Sequence, residues 1–289
     1  MNRQDVLGQL PIGKEDFVLE IGAGHIPFHH TKLIIDKYPF DNAERWTDIR
    51  RIAPVLKADA IKLPLADNSV DLLFASHVLE HIDEPERFIS EAKRCSKLIY
   101  LEFPSLKREL MYAWSFHKWL IEVSGTTLIF FKDDMPQLFN DFFHCNYDSL
   151  LDTWSTYRFE KLNNYIFTET KRISLQFSEK TAFQHALERS AIGDERINFA
   201  AIQRKDYSLR ELLKLSLSSV APTWMIEGKN ALMRRVNQYK SPELNQEILK
   251  RLICQRCKRQ ELEFVEEDIE CRSCHTHYEQ SEGVFDFDI

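Results

Sequence analysis

One stretch of the sequence, VLEIGAGHIPFHHTKLIID over residues 18–36, constrains the fold more than any other. The apolar run over residues 17–21 predicts a β-strand that leads directly into a Gly-x-Gly turn at Gly22 and Gly24. A second apolar strand, over residues 33–36, follows this turn after only eight residues. A helix of eight residues would be about 12 Å long, whereas a strand of five residues spans roughly 16 Å and must be retraced. We therefore predict an irregular crossover in which the usual helix is cut to a turn or less.

Three later apolar runs extend this pattern into a mostly parallel α/β sheet. Strands are predicted over residues 54–58, 70–75 and 97–103. The segment DEPERFISEAKRC, between the last two of these strands, predicts an amphipathic helix with Pro85 in its first turn. The alternation of short strands with helical patterns is typical of open sheets that are covered by helices.

The remainder of the chain indicates three parts. We predict a sheet domain over residues 1–184 with an insertion over about 105–150, a mainly helical segment over 185–249, and a cysteine module over 250–289. Within the first part, HKWLIEVSGTTLIFFKD predicts a hairpin that turns at Gly125. The alternating stretch YRFEKLNNYIFTETKRISLQF predicts two or three antiparallel strands that close the sheet.

Composition and charge argue against several classes of protein. No apolar run approaches the ~20 residues of a membrane helix, and the N-terminal residues lack the apolar centre of a signal peptide. Four of the six cysteines cluster near the C-terminus, which favours metal binding in a reducing compartment over disulfides. The net charge is −7 and no long segment is strongly basic, so nucleic acid is disfavoured as a partner. We therefore expect a cytoplasmic protein.

The turn over residues 22–24 does not match the two common phosphate-binding turns. A dinucleotide fingerprint continues to a third glycine, but His25, Ile26 and Pro27 follow here. A P-loop requires a Gly-Lys-Ser/Thr sequence, which is also missing after this turn. The turn therefore favours either a plain tight bend or a ligand without a phosphate group.

Three acidic residues lie near the carboxyl ends of three successive predicted strands: Glu20 just before the turn, Asp36 at the end of the second strand and Asp59 after the third. Because the carboxyl ends of parallel strands meet at one edge, these carboxylates are expected where open α/β sheets bind ligands. S-adenosylmethionine (SAM) has no phosphate, but it carries two ribose hydroxyls and an adenine amine. Asp36 would accept hydrogen bonds from the hydroxyls and Asp59 from the amine, while the bare backbone at Gly22 and Gly24 would admit the methionine part. Each acid alone also fits a solvated strand end or a helix cap.

These motifs in combination resemble the class I SAM-dependent methyltransferases of the methyltransferase-11 type. The segments that carry the resemblance are VLEIGAG, LIID, ADAIKLPLADNSVDLLFASHVLEHI and DEPERFISEAKRC, which together cover roughly residues 15–105. The resemblance implies a Rossmann-like, mostly parallel sheet of seven strands. The shortened first crossover departs from the commonest pattern of this family.

The resemblance also implies a set of cofactor contacts in this chain. The turn residues would lie beneath SAM, Asp36 would contact the ribose, two residues after the third strand would contact the adenine, and two residues after the fourth would lie under the methyl group. In order along the chain these positions, with Glu20 before the turn, are Glu20, Gly22, Ala23, Gly24, Asp36, Asp59, Ala60, Ser76 and His77.

Methyl transfer requires an aligned acceptor and, for a hydroxyl or a protonated amine, a base that removes a proton. His77 would face the site if Ser76 ends its strand, and His81 would follow on the same helical face. The alternative role for His77 is a backbone hydrogen bond at the strand end. A second base candidate, His117, lies in the aromatic-rich segment MYAWSFHKWL, whose rings would line an acceptor pocket or pack a helix into the core.

The C-terminal module contains two Cys-x-x-Cys pairs separated by thirteen residues, formed by Cys254, Cys257, Cys271 and Cys274. This spacing predicts a tetrahedral zinc ribbon, and four thiolates leave no open position for catalysis. A module of this size buries too little apolar surface to fold alone, so the zinc would be structural. The module resembles the small zinc-ribbon protein that activates several methyltransferases as a separate subunit, here fused in cis.

The leading hypothesis is a SAM-dependent methyltransferase that acts on a hydroxyl, or as a second choice an amine, of a small-molecule or glycan-precursor acceptor. The first alternative is an RNA or protein methyltransferase that uses the ribbon for recognition. The second is a non-catalytic binding module with a SAM fold. Oligomeric state is left open, and the apolar stripe of WMIEGKNALMRRVNQY would either bridge two domains or contact a membrane surface peripherally.

Overall fold

The computed structural model describes residues 3–41, 48–136, 159–191, 232 and 242–288. The chain divides into two compact units. The sheet unit comprises residues 12–101, 166–173 and 230–289, and the hairpin unit comprises residues 1–11, 102–165 and 174–229.

The helices of the described residues are α1 (Arg3–Leu7), α2 (Pro85–Cys95), α3 (Leu106–Tyr112), α4 (Phe159–Leu162), α5 (Ala182–Ala191) and α6 (Gln246–Leu249). Short 3-10 helices occupy Leu79–His81 and Thr170–Arg172. The strands are β1 (Val18–Ile21), β2 (Thr31–Asp36), β3 (Val55–Lys57), β4 (Val70–Ser76), β5 (Ser96–Pro104), β6 (Trp119–Ser124), β7 (Thr127–Lys132), β8 (Asn163–Glu169), β9 (Ser174–Thr181), β10 (Leu262–Val265), β11 (Asp268–Cys271), β12 (His277–Tyr278), β13 (Gln280–Ser281) and β14 (Val284–Asp286).

The main sheet has the strand order β13-β14-β3-β2-β1-β4-β5-β8. Strand β1 pairs in parallel with β2 and β4, and β3 pairs in parallel with β2. All four residues of β1 are buried, as expected for a central strand of a parallel sheet with both faces covered. The predicted α/β architecture is therefore confirmed in its central part.

The predicted count of seven strands is not confirmed, because the main sheet of the described chain has eight. Two of the eight, β13 and β14, come from the C-terminal module, and β14 pairs in parallel with β3. The sequence prediction placed this module outside the sheet. Strand β14 has only three residues, two of them apolar, which is too short a run to signal pairing with a distant segment.

The first crossover contains no helix between β1 and β2, as the eight-residue spacing predicted. The buried carboxylate of Glu20 holds this segment, since its Oε2 accepts hydrogen bonds from the Phe28 amide at 3.0 Å and the Thr31 hydroxyl at 2.5 Å. The Phe28 ring stacks on Phe74 with a centroid distance of 4.8 Å, and Phe74 stacks on Tyr100 at the same distance. The Glu20 carboxylate and the stacked ring of Phe28 therefore hold the crossover against the sheet, where a helix would otherwise pack.

Helix α2 follows its sequence signals closely. Pro85 is its first residue, and Phe88, Ile89 and Ala92 are buried on one face, as the apolar spacing predicted.

The hairpin unit contains a separate three-stranded sheet with the order β6-β7-β9. The turn between β6 and β7 includes Gly125 with φ +63°, which confirms the predicted hairpin. The prediction that the next stretch only adds antiparallel strands to the main sheet is wrong for β9, which pairs in parallel with β7. The rings of Phe130 and Phe177 stack across this pair at 5.1 Å, so apolar pairing favours this register over continuation of the main sheet.

The C-terminal module forms a small antiparallel sheet with the order β10-β11-β12. The hairpin of β13 and β14 follows it, with Glu282 and Gly283 at positive φ in the turn. Most of the predicted helical segment over 185–249, including the apolar stripe that starts at Trp224, lies outside the described residues. No helix of the described part of the chain is long and apolar enough to cross a membrane.

Candidate functional site

The turn after β1 is held in a conformation that requires glycine at its first position. Gly22 has φ +64°, and its amide donates to the Ile35 carbonyl at 2.9 Å. A Cβ atom on Gly22 would lie 2.6 Å from Cγ2 of Val78, which is well inside van der Waals contact. In contrast, a Cβ atom on Gly24 would meet no atom within 4 Å. The turn therefore packs against the loop after β4 at Gly22 and leaves free space where a Gly24 side chain would lie, while the Gly24 carbonyl accepts from the Arg50 amide at 3.1 Å.

The strand register brings Asp36 and the segment with Asp59 to the same edge of the sheet. Asp36 ends β2 opposite Lys57, and the Ala58 amide donates to the Asp36 carbonyl at 3.2 Å. The Asp36 side chain is buried, and its Oδ1 accepts from the Tyr38 amide at 2.7 Å. This arrangement confirms that the carboxyl ends of β2 and β3 lie at the same edge of the sheet, as we expected from parallel pairing.

Asp59 is engaged by two groups of the same edge. Its Oδ1 accepts from the Ile61 amide at 3.1 Å, and its Oδ2 forms a 2.6 Å ion pair with Lys37 Nζ. The hydrogen bond to Asp59 raises the pKa of Lys37, which keeps this lysine charged. A ligand amine that reached Asp59 would therefore compete with Lys37, a residue that sequence analysis did not single out. Ala60 lies between these groups and is half-buried.

The carboxylate of Glu20 turns toward the crossover, where it accepts the two hydrogen bonds described above. A direct contact of Glu20 with a cofactor therefore stays a prediction. The described role is to fix the chain that leaves the Gly22–Gly24 turn.

Strand β4 ends at Ser76, and His77 follows with φ +56°. A positive φ is uncommon for a residue other than glycine, and such residues cluster at functional sites. Because Ile21 pairs with Ala75, the residues that follow them, Gly22 and Ser76, lie at the same level of the sheet. The structure therefore brings the loop of His77 beside the Gly-x-Gly turn, as predicted.

His77 lies within hydrogen-bond distance of a carboxylate that sequence analysis did not assign to the site. His77 Nδ1 lies 3.1 Å from Glu80 Oε1, and the side chains are 31% and 1% exposed, respectively. His81 belongs to the 3-10 helix Leu79–His81 and its amide donates to the Val78 carbonyl. His77 precedes that helix, so the expectation that the two histidines share one helical face does not hold. The His-x-x-Glu spacing was the available signal for the pair.

The third base candidate, His117, lies in the hairpin unit. Its Nδ1 is 2.7 Å from Glu109 Oε1, and the two side chains are only 5% and 2% exposed. The His117 ring lies near the rings of Trp114 and Phe116, with centroid distances of 4.8 and 5.3 Å. Nearby, burial raises the pKa of Asp133 to about 6, with a further contribution from Glu109.

The aromatic residues of the predicted cover separate into two clusters. Tyr112 ends helix α3 and stacks on Trp114 at 4.5 Å, while Arg108 lies 5.3 Å from the Trp114 centroid. Trp119 lies on β6 and packs edge-on against Phe130 and Phe177 at 5.8 and 5.5 Å. Helix α3 therefore ends at Tyr112, before most of these rings. The prediction that this segment forms one helix with its aromatic residues packed into the core is wrong.

The four cysteines of the C-terminal module come together as their spacing predicted. Their Sγ atoms all lie within 4.8 Å of one another, which fits one metal ion with four thiolate ligands: Cys254, Cys257, Cys271 and Cys274.

The surroundings of this cysteine cluster also fit a metal. The hydroxyl of the buried Tyr278 donates to Cys254 Sγ at 3.1 Å and accepts from the Gln255 amide at 2.7 Å. Burial disfavours the Cys254 thiolate, but hydrogen bonds from the Cys257 amide and Tyr278 outweigh it and lower the pKa of Cys254 to about 6. His275, which directly follows Cys274 in the sequence, lies 2.7 Å from Glu270 through its Nδ1 atom.

Residues 21–98 match the family described as the methyltransferase domain. This match begins at Ile21, the last residue of β1, and ends within β5, so it includes the turn, the ends of β2 to β4 and the loop of His77 described above. It supports an enzyme with a methyltransferase domain in the sheet unit.

Several solved structures are similar to the chain. A SAM-dependent methyltransferase from Aquifex aeolicus is 21% identical, with a TM-score of 0.27 over 36% of this chain and 64% of that one. Another from Thermotoga maritima is 30% identical, with a TM-score of 0.27 over 37% and 50%. A complex between the Haloferax volcanii Trm112 methyltransferase activator and a methyltransferase gives 16% identity and a TM-score of 0.32 over 46% and 73%.

The chain thus spans between one half and two thirds of the first two of these structures. No curated protein matches this sequence.

Proposed function

We propose that the protein is a SAM-dependent methyltransferase whose cofactor lies on the carboxyl edge of the main sheet. The observation that carries the proposal is the free space over Gly24 on the sheet edge that also holds Asp36 and the Asp59 segment, at the ends of three adjacent parallel strands. This edge offers hydrogen-bond acceptors and bare backbone, which suit a ligand with hydroxyl and amine groups and no phosphate. The match of residues 21–98 to the methyltransferase domain supports the same cofactor.

Each group of the site has a role in this proposal. The turn of Gly22, Ala23 and Gly24 admits the methionine part, Asp36 accepts from the ribose hydroxyls, and Asp59 with Ala60 contacts the adenine. Lys37 leaves Asp59 or shares it when the adenine binds. The cofactor supplies an electrophilic methyl group.

On the acceptor side, His77 removes the proton of a hydroxyl group, with Ser76 beside it at the end of β4. A histidine whose Nδ1–H is held by a carboxylate presents the lone pair of Nε2, which is what a general base requires. His81 stays a candidate for acceptor contact rather than for the base, because it lies within the 3-10 helix. The acidic composition favours a small-molecule or glycan-type hydroxyl acceptor, with an amine as the second choice.

A second candidate acceptor, RNA or an acidic protein, is favoured by one observation. A cavity of about 630 Å³ in the sheet unit is lined by basic residues from the loop after β3, from α2 and from the cysteine module, namely Lys62, Arg87, Arg94 and Lys258. Asp67 and Glu91 also line it, and Arg94 pairs with both. The excess of positive charge is small, so we rank this acceptor second. Salt-sensitive binding of a mixed RNA pool, lost in the double variant K62E/K258E, would reverse the ranking.

We propose structural zinc for the cysteine cluster. Removal of the metal should unfold the module, since four clustered thiols cannot replace the crosslink that the metal provides. The test is a melting curve after chelation, with metal loss confirmed by elemental analysis. An unchanged curve would count against this role.

The cofactor is tested by calorimetric titration of S-adenosylhomocysteine (SAH) into the metal-loaded protein, with Asp36→Ala as the paired variant. We expect micromolar binding that weakens at least tenfold in the variant, because a lost charged hydrogen bond is worth about 1.5–3 kcal/mol. Asp41→Ala is the matched control, since Asp41 lies in the exposed chain beyond β2. Absence of heat at several temperatures from the folded protein would favour the non-catalytic binding module.

A further inference from the structure

A carboxylate that no comparison assigns lies directly behind the proposed base. Glu80 is fully buried, although its side chain ends in a carboxyl group. A buried carboxylate is costly unless it is paired, and its Oε1 is 3.1 Å from His77 Nδ1.

This contact determines which nitrogen of His77 carries the proton. With Glu80 ionised, its carboxylate can only accept hydrogen bonds; Nδ1 of His77 then donates, and the lone pair of the neutral ring lies on Nε2. The His77 side chain is 31% exposed, whereas Glu80 is 1% exposed, so solvent reaches the histidine but not its carboxylate partner. Glu80 thereby turns a half-exposed histidine into an oriented acceptor of protons.

The backbone around the pair is also fixed relative to the cofactor turn. His77 has φ +56°, and the next residue, Val78, packs its Cγ2 atom against Gly22 so closely that no side chain fits there. The ring of His77 is therefore anchored by Glu80 at Nδ1 and by Val78 through the backbone. Both anchors lie within four residues of each other and within one compact unit.

We propose that Glu80 is the positioning residue of the methyl transfer reaction, which sets the tautomer and orientation of His77 before the acceptor binds. This inference rests on the proposed function, in which His77 is the base. Glu80 acts through His77 and does not touch the acceptor. In the reaction, the acceptor O–H bond breaks as its oxygen bonds to the methyl carbon, the proton passes to Nε2 of His77, and the carbon–sulfur electron pair stays on sulfur.

The first experiment measures the tautomer of His77 in protein labelled with ¹⁵N-histidine, by long-range ¹H–¹⁵N correlation spectra. We expect the Nδ1–H form in the wild type and in Glu80→Gln, whose amide oxygen still accepts. We expect the Nε2–H form to dominate in Glu80→Leu and Glu80→Asp, which cannot reach Nδ1. Glu84→Gln is the matched control, because Glu84 is an exposed carboxylate of the same loop that pairs with Arg87.

Two results would overturn the inference, namely an Nε2–H form of His77 in the wild type, or no change in Glu80→Asp. Glu80→Asp keeps the buried charge and decides the matter if Glu80→Leu does not fold. The second experiment measures carbethoxylation of His77 by mass spectrometry, with and without SAH. We expect faster modification in the wild type than in Glu80→Asp, protection by SAH, and unchanged modification of His275, which is 78% exposed in the cysteine module. Equal rates in the two proteins would contradict the positioning role.

The cofactor titration keeps the two proposals apart. If SAH does not bind the wild type, the proposed function fails, while the tautomer spectra still report on Glu80. If SAH binds the wild type and Glu80→Asp with affinities within threefold, yet the tautomer changes, Glu80 positions His77 without building the cofactor site.

Discussion

The two units each contain a histidine paired with a buried glutamate, and the pairs differ mainly in their exposure. His77 and Glu80 in the sheet unit are 3.1 Å apart, and the histidine is 31% exposed. His117 and Glu109 in the hairpin unit are 2.7 Å apart, and the histidine is 5% exposed. A base must be reached by its substrate, whereas an enclosed charged pair mainly maintains the packing around it. We therefore expect the same pair of side chains to serve reactivity in one unit and stability in the other.

The largest expected effect is on turnover. Replacing His77 with Ala should lower methyl transfer to an acceptor fraction about 10²- to 10⁴-fold, since general base catalysis contributes that range. SAH affinity should stay within about threefold of the wild type, because the strand ends that hold the cofactor are unchanged. The measurement is incorporation of label from methyl-labelled SAM, with calorimetry for affinity.

The same measurement on His117→Ala sharpens the comparison. Its turnover should fall only as far as its folded fraction falls. If fully folded His117→Ala protein lost as much turnover as His77→Ala, His117 would be a catalytic residue. The two pairs would then not differ in function.

The next effect is on stability. Glu109→Ala should lower the free energy of unfolding by about 3 kcal/mol, because removal of one partner leaves the enclosed His117 without its acceptor. Glu80→Gln should cost less than about 1.5 kcal/mol, since it retains the hydrogen bond and His77 has access to water. Urea unfolding of both variants provides the comparison, and equal losses would contradict it.

A third prediction separates packing from cofactor contact in the Gly-x-Gly turn. Gly22→Ala should destabilise the protein by about 1–3 kcal/mol, because the methyl group meets Val78 and φ is +64°. Gly24→Ala has open space and should leave the melting temperature unchanged, yet weaken SAH binding if the cofactor lies over that residue. The opposite pattern would place the cofactor elsewhere.

The smallest effect depends on pH and reports on the environment of the His117 pair. The pKa of Asp133 is raised to about 6 by burial and by Glu109, so the folded state disfavours its charged form. The contribution of Asp133 to the free energy of unfolding is therefore fully present below about pH 4. It is lost as the pH rises through about 6, where the buried carboxyl group must ionise in the folded state. Asp133→Asn should be more stable than the wild type by about 1–2 kcal/mol at pH 7.5, after allowance for its partial exposure, and equal to it near pH 4. Thermal melts at the two pH values test this, and a constant difference would contradict the pKa assignment.

Much of the fold was predictable because its signals are local. The Gly-x-Gly turn, Pro85 at the start of α2 and the turn at Gly125 each follow from one or two residues and the apolar spacing around them. The eight-residue gap correctly predicted a crossover without a helix, although nothing local showed that Glu20 would hold it. The paired cysteines predicted their cluster because ligand spacing is itself a local property.

The features that sequence analysis missed depend on distant pairing. Strand β9 pairs with β7, supported by ring contacts, and does not join the main sheet, while β14 pairs with β3. The residues of β9 and β14 themselves give no indication of these partners. Both histidine–glutamate pairs were also missed. The spacing of His77 and Glu80 is visible in the sequence. The burial of Glu80, which distinguishes this pair from a surface pair, arises only in the folded protein.

The parallel contact of β14 with β3 has a consequence for how the protein is made. Lys57 and Asp286, which form an ion pair across these strands, are 229 residues apart. At synthesis rates of 5–20 residues per second, the edge of β3 waits roughly 10 to 50 s on the ribosome before its neighbour exists. During this interval an unpaired parallel edge is open to other strands. Chaperone binding to nascent chains should therefore peak after β3 has emerged and end once residues 284–286 are released.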